Sequence, residues 1–131
     1  MTVLSENPTL DLRSLLLQLD GDLDAARALL TMFLEDARLI LAELRVLGDS
    51  AEERRHFEIK IHGLKGACAN IGAERMRARC LALEMLARSQ AQGGLGAMED
   101  AASALEAGLS EVESSFAAVC GMANAWLKPV Y

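Results

Sequence analysis

Residues 50–72 read SAEERRHFEIKIHGLKGACANIG. Phe57, Ile61, Leu64, Cys68 and Ile71 recur at spacings of three and four, which places them in one apolar stripe along a helix. Ser50 followed by Glu53 matches a capping box. Asn70-Ile71-Gly72 supplies the break, since glycine tolerates the left-handed turn that ends a helix. Within this helix one stretch departs from good helical chemistry. Gly63 and Gly66 lie in mid-helix, where each costs about 1 kcal/mol relative to alanine. A stable helix does not need such residues, so they mark either tight packing or a functional site.

The same periodicity continues on both sides. Residues 22–47 carry Ala26, Leu30, Phe33, Ala37, Ile40, Leu44 and Leu47 in one stripe, with Asp22 as the cap and Gly48 as the end. Residues 9–19 form a short helix with Leu12, Leu15, Leu16 and Leu19 on one side, and Asp20-Gly21-Asp22 breaks it. Residues 73–89 turn Met76, Cys80, Leu83 and Ala87 inward, and residues 92–96, rich in glycine, read as the one flexible connector. A last helix carries Met98, Ala102, Leu105, Leu109, Val112, Phe116 and Val119, is extended by Ala123 and Trp126, and is stopped by Pro129. No strand signal or internal repeat is present. The expected fold is all-α: one domain over residues 1–131, an antiparallel up-down four-helix bundle with a short additional N-terminal helix covering one end.

Composition agrees and narrows the function. Hydrophobic residues make up 52% of the chain and aromatic residues 4%, and Leu and Ala, both strong helix formers, dominate. The net charge of −6 argues against nucleic acid or an anionic membrane as partner. The charge is uneven: residues 51–88 hold eight basic and five acidic groups, so this segment is positive on an acidic body and suits an acidic partner surface. Cys68, Cys80 and Cys120 form no CxxC and fall at or beside apolar positions, which indicates free thiols in a reducing compartment. There is no leader-like N-terminus and no apolar run of membrane-spanning length, so a cytoplasmic protein is expected.

His62 and Lys65 sit three residues apart at the edge of the apolar stripe, on the outer face. Gly66 shares that face and puts no side chain in front of the imidazole, and Gly63 keeps the surroundings low. A neutral imidazole is a good nucleophile near neutral pH, and a lysine one turn away can balance the charge of a phosphoryl group placed on it. Glu58, one turn before His62, is placed to hydrogen-bond the other ring nitrogen and fix the tautomer. His56 is too far round the helix to pair with His62 on a metal. On the residues alone, a polar surface histidine and glycines that admit a neighbouring helix remain the commoner reading.

The run His62-Gly63-Leu64-Lys65-Gly66-Ala67-Cys68-Ala69-Asn70-Ile71-Gly72-Ala73 resembles the signature of histidine-containing phosphotransfer domains, the Hpt modules of phosphorelays. The likeness extends to Leu19-Asp20-Gly21-Asp22 with residues 30–34, and to residues 75–84. The resemblance implies that His62 is the phosphoacceptor, that Lys65 balances charge and that Gly66 gives access. It also implies that the side chain at 84 reaches the active histidine; Glu84 stands where Gln is common, and Gly63 stands where Ala or Thr is usual.

It further implies partners: receiver domains of a hybrid sensor kinase or a response regulator, which supply Mg²⁺ around a phosphorylatable aspartate. No cofactor of the chain's own is expected. A basic rim of Arg75, Arg77, Arg79 and Arg88 would dock that acidic surface. No nucleotide-binding loop is present, so the expectation is a monomeric phosphoryl carrier rather than a kinase. The initial methionine favours a free-standing protein. Two rivals stay open: a helical adaptor that never carries phosphate, and the phosphorylated domain of a chemotaxis-type kinase, labelled by an ATP-binding domain in trans.

Overall fold

The first three helices begin where the sequence provides an acceptor for their free N–H groups. A computed structural model describes residues 7–91 and 98–128. Among these, five helices are present: α1 (Leu12–Gln18), α2 (Leu23–Val46), α3 (Ala51–Ile71), α4 (Glu74–Ala91) and α5 (Met98–Leu127). The Asp11 carboxylate accepts from Ser14 N–H, and Asp22 accepts from Ala25 N–H, each at 3.0 Å. At α3 the Ser50 hydroxyl accepts from Glu53 N–H at 3.1 Å, and the Glu53 carboxylate takes the Ser50 O–H and the Gly48 N–H at 2.9 Å each. The capping box therefore forms and also ties down the preceding turn.

Gly48 ends α2 for a reason other than the one expected. Left-handed glycines among the described residues are Gly21 and Gly72, whereas α2 stops through an extended Leu47. Gly48 instead makes room for the Glu53 carboxylate, whose Oε1 would lie 2.8 Å from an added Cβ. Gly72 does end α3 in the left-handed conformation (φ 79°), with Ala73 N–H donating to Cys68 O at 3.0 Å. Its carbonyl accepts from Asp11 N–H at 2.9 Å, and Pro8 O accepts from Arg75 N–H at 3.0 Å. These bonds fasten the N-terminal segment over the α3–α4 turn.

The helices form a ring of neighbours. α2 packs on α3, α3 on α4, α4 on α5 and α5 on α2, while the backbones of the diagonal pairs stand further apart; α1 rests on α2 and α3. The apolar stripes meet in one core containing Leu30, Phe33, Ile61, Leu64, Cys68, Met76, Cys80, Leu83, Val112 and Val119. Phe33 meets Phe116 edge-on at 6.3 Å, and Arg45 reaches from α2 to Glu106 and Glu113 of α5 at 2.6 Å each.

The expected stripes are largely those buried, with differences. Leu34 and Leu41 are buried as well, because α2 faces two neighbours and needs a stripe wider than one residue per turn. Ala102 is exposed. The connector at 92–96, the Met98 side chain and Pro129 lie outside the described residues. Cys68 and Cys80 are fully buried. Contact with Cys80, then burial, pushes the Cys68 thiol up, so it remains protonated and serves as core.

Candidate functional site: an imidazole backed by a buried carboxylate

The closest-packed pair of helices, α3 and α4, brings together residues far apart in sequence. His62 on α3 is well exposed, its side chain retaining 61% of its accessible surface. Its Nδ1 lies 2.8 Å from Oε2 of Glu84 on α4. The Glu84 side chain is 1% exposed, so it is a carboxylate on the inner wall with one edge aimed at the imidazole. Lys65 Nζ is 2.8 Å from Glu84 Oε1, an ion-pair contact without aligned hydrogen-bond geometry. Arg88 Nη2 donates to Oε2 at 2.7 Å, sharing that oxygen with His62.

A buried carboxylate is ordinarily driven towards its neutral form. Burial does push the Glu84 carboxyl up, but the Lys65 and His62 contacts and the Arg88 charge outweigh it and hold it below the usual carboxylate range. Glu84 is therefore ionised at neutral pH and only accepts hydrogen bonds. It takes the Nδ1–H of His62, and in the neutral ring the remaining lone pair is then on Nε2 of this exposed side chain. The arrangement yields one reachable nucleophilic nitrogen of fixed tautomer.

Not every expected residue joins this cluster. Glu58, expected to hold the second ring nitrogen, instead lies 3.7 Å from Arg88 Nε, and Glu84 takes the place foreseen for it. The four arginines do not form one rim. Arg79 turns to α5, donating to Ser115 Oγ at 2.7 Å and standing 3.4 Å from Glu111. Arg75 donates to Asn7 O at 3.2 Å at the N-terminal end, and Arg77 pairs with Glu74 at 2.8 Å. Only Arg88 belongs to the His62 cluster. Its direct hold on Glu84 was not read from the sequence, although the spacing of four between Glu84 and Arg88 is the usual signal of a helical ion pair. His56 faces α2 and pairs with Glu43 at 2.8 Å, away from His62.

The two mid-helix glycines are not packing residues. A Cβ built at Gly63 or at Gly66 meets nothing within 4 Å. No neighbouring helix needs the space, so the alternative of close helix packing falls at both positions.

A helical bundle that presents an exposed imidazole backed by a buried carboxylate defines a class of protein built to offer a side-chain nucleophile to a docking partner. Residues 28–115 match the family model for the Hpt domain, and the chain belongs to that family. No curated protein and no solved structure is a significant match to the chain. The matched segment contains the whole His62 cluster, while α1 and the last turns of α5 lie outside it. Membership implies histidine phosphotransfer in two-component signalling, by a phosphocarrier module without an ATP-binding domain that interacts with receiver domains. No described helix is long and apolar enough to cross a membrane.

Proposed function

We propose that this chain is a phosphorelay intermediate that accepts a phosphoryl group on His62 Nε2 from a receiver aspartate and passes it to a second receiver. The observation that carries the reading is the contact between the ionised, buried Glu84 and Nδ1 of an exposed His62. The Nε2 lone pair attacks the phosphorus of the aspartyl phosphate in line. The P–O bond to the aspartate breaks, the carboxylate leaves with the electron pair, and the N–P bond forms. Because Nδ1 keeps its proton, the ring becomes a phosphorylated imidazolium, and the Glu84 carboxylate faces that new positive charge. Transfer onward reverses these steps on another aspartate.

The remaining parts follow from position. Lys65 supplies positive charge one turn from the phosphoryl group. Gly66 leaves the approach to the ring open. Exposed Ile59, one turn before His62, and exposed Leu81 and Met85, which flank Glu84, give the receiver an apolar contact surface; Arg88 and Arg77 add charge facing its acidic pocket. Mg²⁺ comes with the receiver, which also supplies most of the electrostatic catalysis. The supporting scaffold is an antiparallel up-down bundle: the connections between α2 and α3 and between α3 and α4 are short, as reversals require. A monomer in the cytosol, where receivers reside, completes the proposal.

The test is incubation with a phosphorylated receiver domain and Mg²⁺, comparing wild type with His62→Gln. Acid-labile, alkali-stable phosphate on the wild type alone is the expected result. Label on both would move the site elsewhere, and label on neither, with a panel of receivers and an ATP-driven kinase domain, would leave an adaptor.

A further inference from the structure

The side of α2 turned away from the core is not a conventional solvated face. Met32, Leu39 and Val46 recur every seven residues along it, and they are 56%, 69% and 79% exposed. Leu29 borders the same line at 37%. Such an apolar line on the outer face of a helix is a surface against which a second helix can pack. No element of the described chain covers it: α3 and α5 flank α2 on either side of the core stripe, and α4 does not reach it.

The charges of α2 are sorted by side. Its arginines turn towards α5, where Arg27 stacks over Trp126 at 5.6 Å and Arg45 binds Glu106 and Glu113. The outward side carries Asp24, Glu35, Asp36 and Glu43. Glu43 is bound to His56 and Lys60 of α3, whereas Asp24, Glu35 and Asp36 make no ion pair among the described residues. An apolar line bordered by the unpaired acids Asp24, Glu35 and Asp36 has a defined complement. A second copy of the same face would set acid against acid, and an anionic membrane or nucleic acid would be repelled. A helix with an apolar seam bordered by Lys and Arg satisfies both features.

We infer that the outward face of α2 is a docking surface for a basic amphipathic helix of a partner protein. The His62 cluster lies between α3 and α4, so this surface and the proposed transfer site can be occupied together. The inference does not depend on phosphoryl transfer.

The experiment is a fluorescence-anisotropy titration of the full chain with a labelled helical peptide of about 21 residues, with Leu at the seam positions and Lys beside them. A second peptide with Glu in place of Lys is the control. The expected result is binding of the Lys peptide only, weakened roughly tenfold or more in Met32→Ser/Leu39→Ser, as for loss of central contacts, and also weakened in Glu35→Lys/Asp36→Lys. All four substituted side chains are exposed, so the fold and the rate of His62 labelling stay as in wild type. Equal binding of the two peptides, binding unchanged in both variants, or no binding would overturn the inference. Self-association of the chain alone that Leu39→Ser abolishes would overturn it in favour of a second copy, and loss of His62 labelling in the variants would return the face to the transfer site.

Discussion

Replacing Glu84 by glutamine isolates the electrostatic part of the His62 site. The side chain keeps its length, its burial and an oxygen that can accept the Nδ1 proton, but loses its charge. In the proposed transfer the imidazole gains positive charge as the N–P bond forms, and Glu84 Oε2 sits 2.8 Å from the protonated Nδ1. A hydrogen bond to a charged group contributes about 1.5–3 kcal/mol, against about 1 for a neutral one. The exposed rim of the ring is screened by water, so the lower part of that range applies. Exchanging a bond of about 1.5 kcal/mol for one of about 1 loses about 0.5 kcal/mol in the transition state, roughly a twofold slower transfer. The assay is single-turnover transfer from a phosphorylated receiver, quenched over time and resolved by a phosphate-affinity gel. Transfer by Glu84→Gln at the wild-type rate, with His62→Gln inactive, would refute the carboxylate's role in the chemistry.

The same substitution has a stability signature with a defined sign. The Glu84 carboxyl is held below its ordinary value in the fold. Its stabilising contribution is therefore complete above the unfolded value of about 4.3 and is lost as pH falls through the lower folded one. Glutamine resembles the protonated acid. Glu84→Gln should melt below wild type at neutral pH, and the two melting temperatures should converge in acid. A gap that stays constant to the acid limit would mean that the charge does not stabilise the fold.

Other substitutions separate packing from access. Gly63→Ala and Gly66→Ala should each stabilise the chain by about 1 kcal/mol in urea denaturation, because helix propensity improves and nothing stands within 4 Å of the new methyl; only Gly66→Ala should also slow transfer. Gly72→Ala should destabilise by about 2 kcal/mol or more, since a left-handed alanine is strained and its Cβ would come 3.0 Å from Asp11 O; an unchanged urea midpoint would count against the α1 anchor. Arg77→Glu, on the side of α4 that bears Glu84, should slow transfer in low salt, while Arg79→Glu, turned to α5, should not; equal effects would restore the four-arginine rim.

What the sequence disclosed follows the range over which each signal acts. The α3 start at Ser50, its end at Gly72 and the inward Ile61, Leu64 and Cys68 are local signals, set by caps and by the period of a single helix. His62, Lys65 and Gly66 were legible for the same reason, since their relation is one turn of one helix. The partner of Nδ1 is different. Glu58 and Glu84 both satisfy the chemistry, and a choice between them depends on how α4 is rotated against α3, which no periodicity within α3 encodes. The arginines show the same limit: the segment 51–88 is positive as a sum, yet α4 sends Arg79 one way and Arg88 the other. Only contacts between helices separate those directions.

The composition of the cluster explains how a carboxylate is tolerated where the family often carries glutamine. An isolated buried carboxylate would be protonated, and as a neutral acid it would lose its purpose beside the imidazole. Glu84 escapes this because two of its three partners, Lys65 and Arg88, carry permanent charge. Both keep part of their surface in water, at 23% and 53%, so their own desolvation is limited. The arrangement also disposes of a difficulty with a negative group near a phosphohistidine. Glu84 approaches the ring at Nδ1, whereas the phosphoryl group would sit on Nε2, across the imidazole. Lys65 and Arg88 neutralise the carboxylate from its other sides. What the phosphoryl group meets is then the Lys65 charge and a ring held positive, not an exposed anion. Lys65→Met tests this balance, because it leaves Glu84 Oε1 buried without its cation. Phosphohistidine hydrolysis should quicken in that variant while the His62→Gln control stays unlabelled, and a phosphohistidine lifetime equal to wild type would mean that Arg88 alone neutralises Glu84.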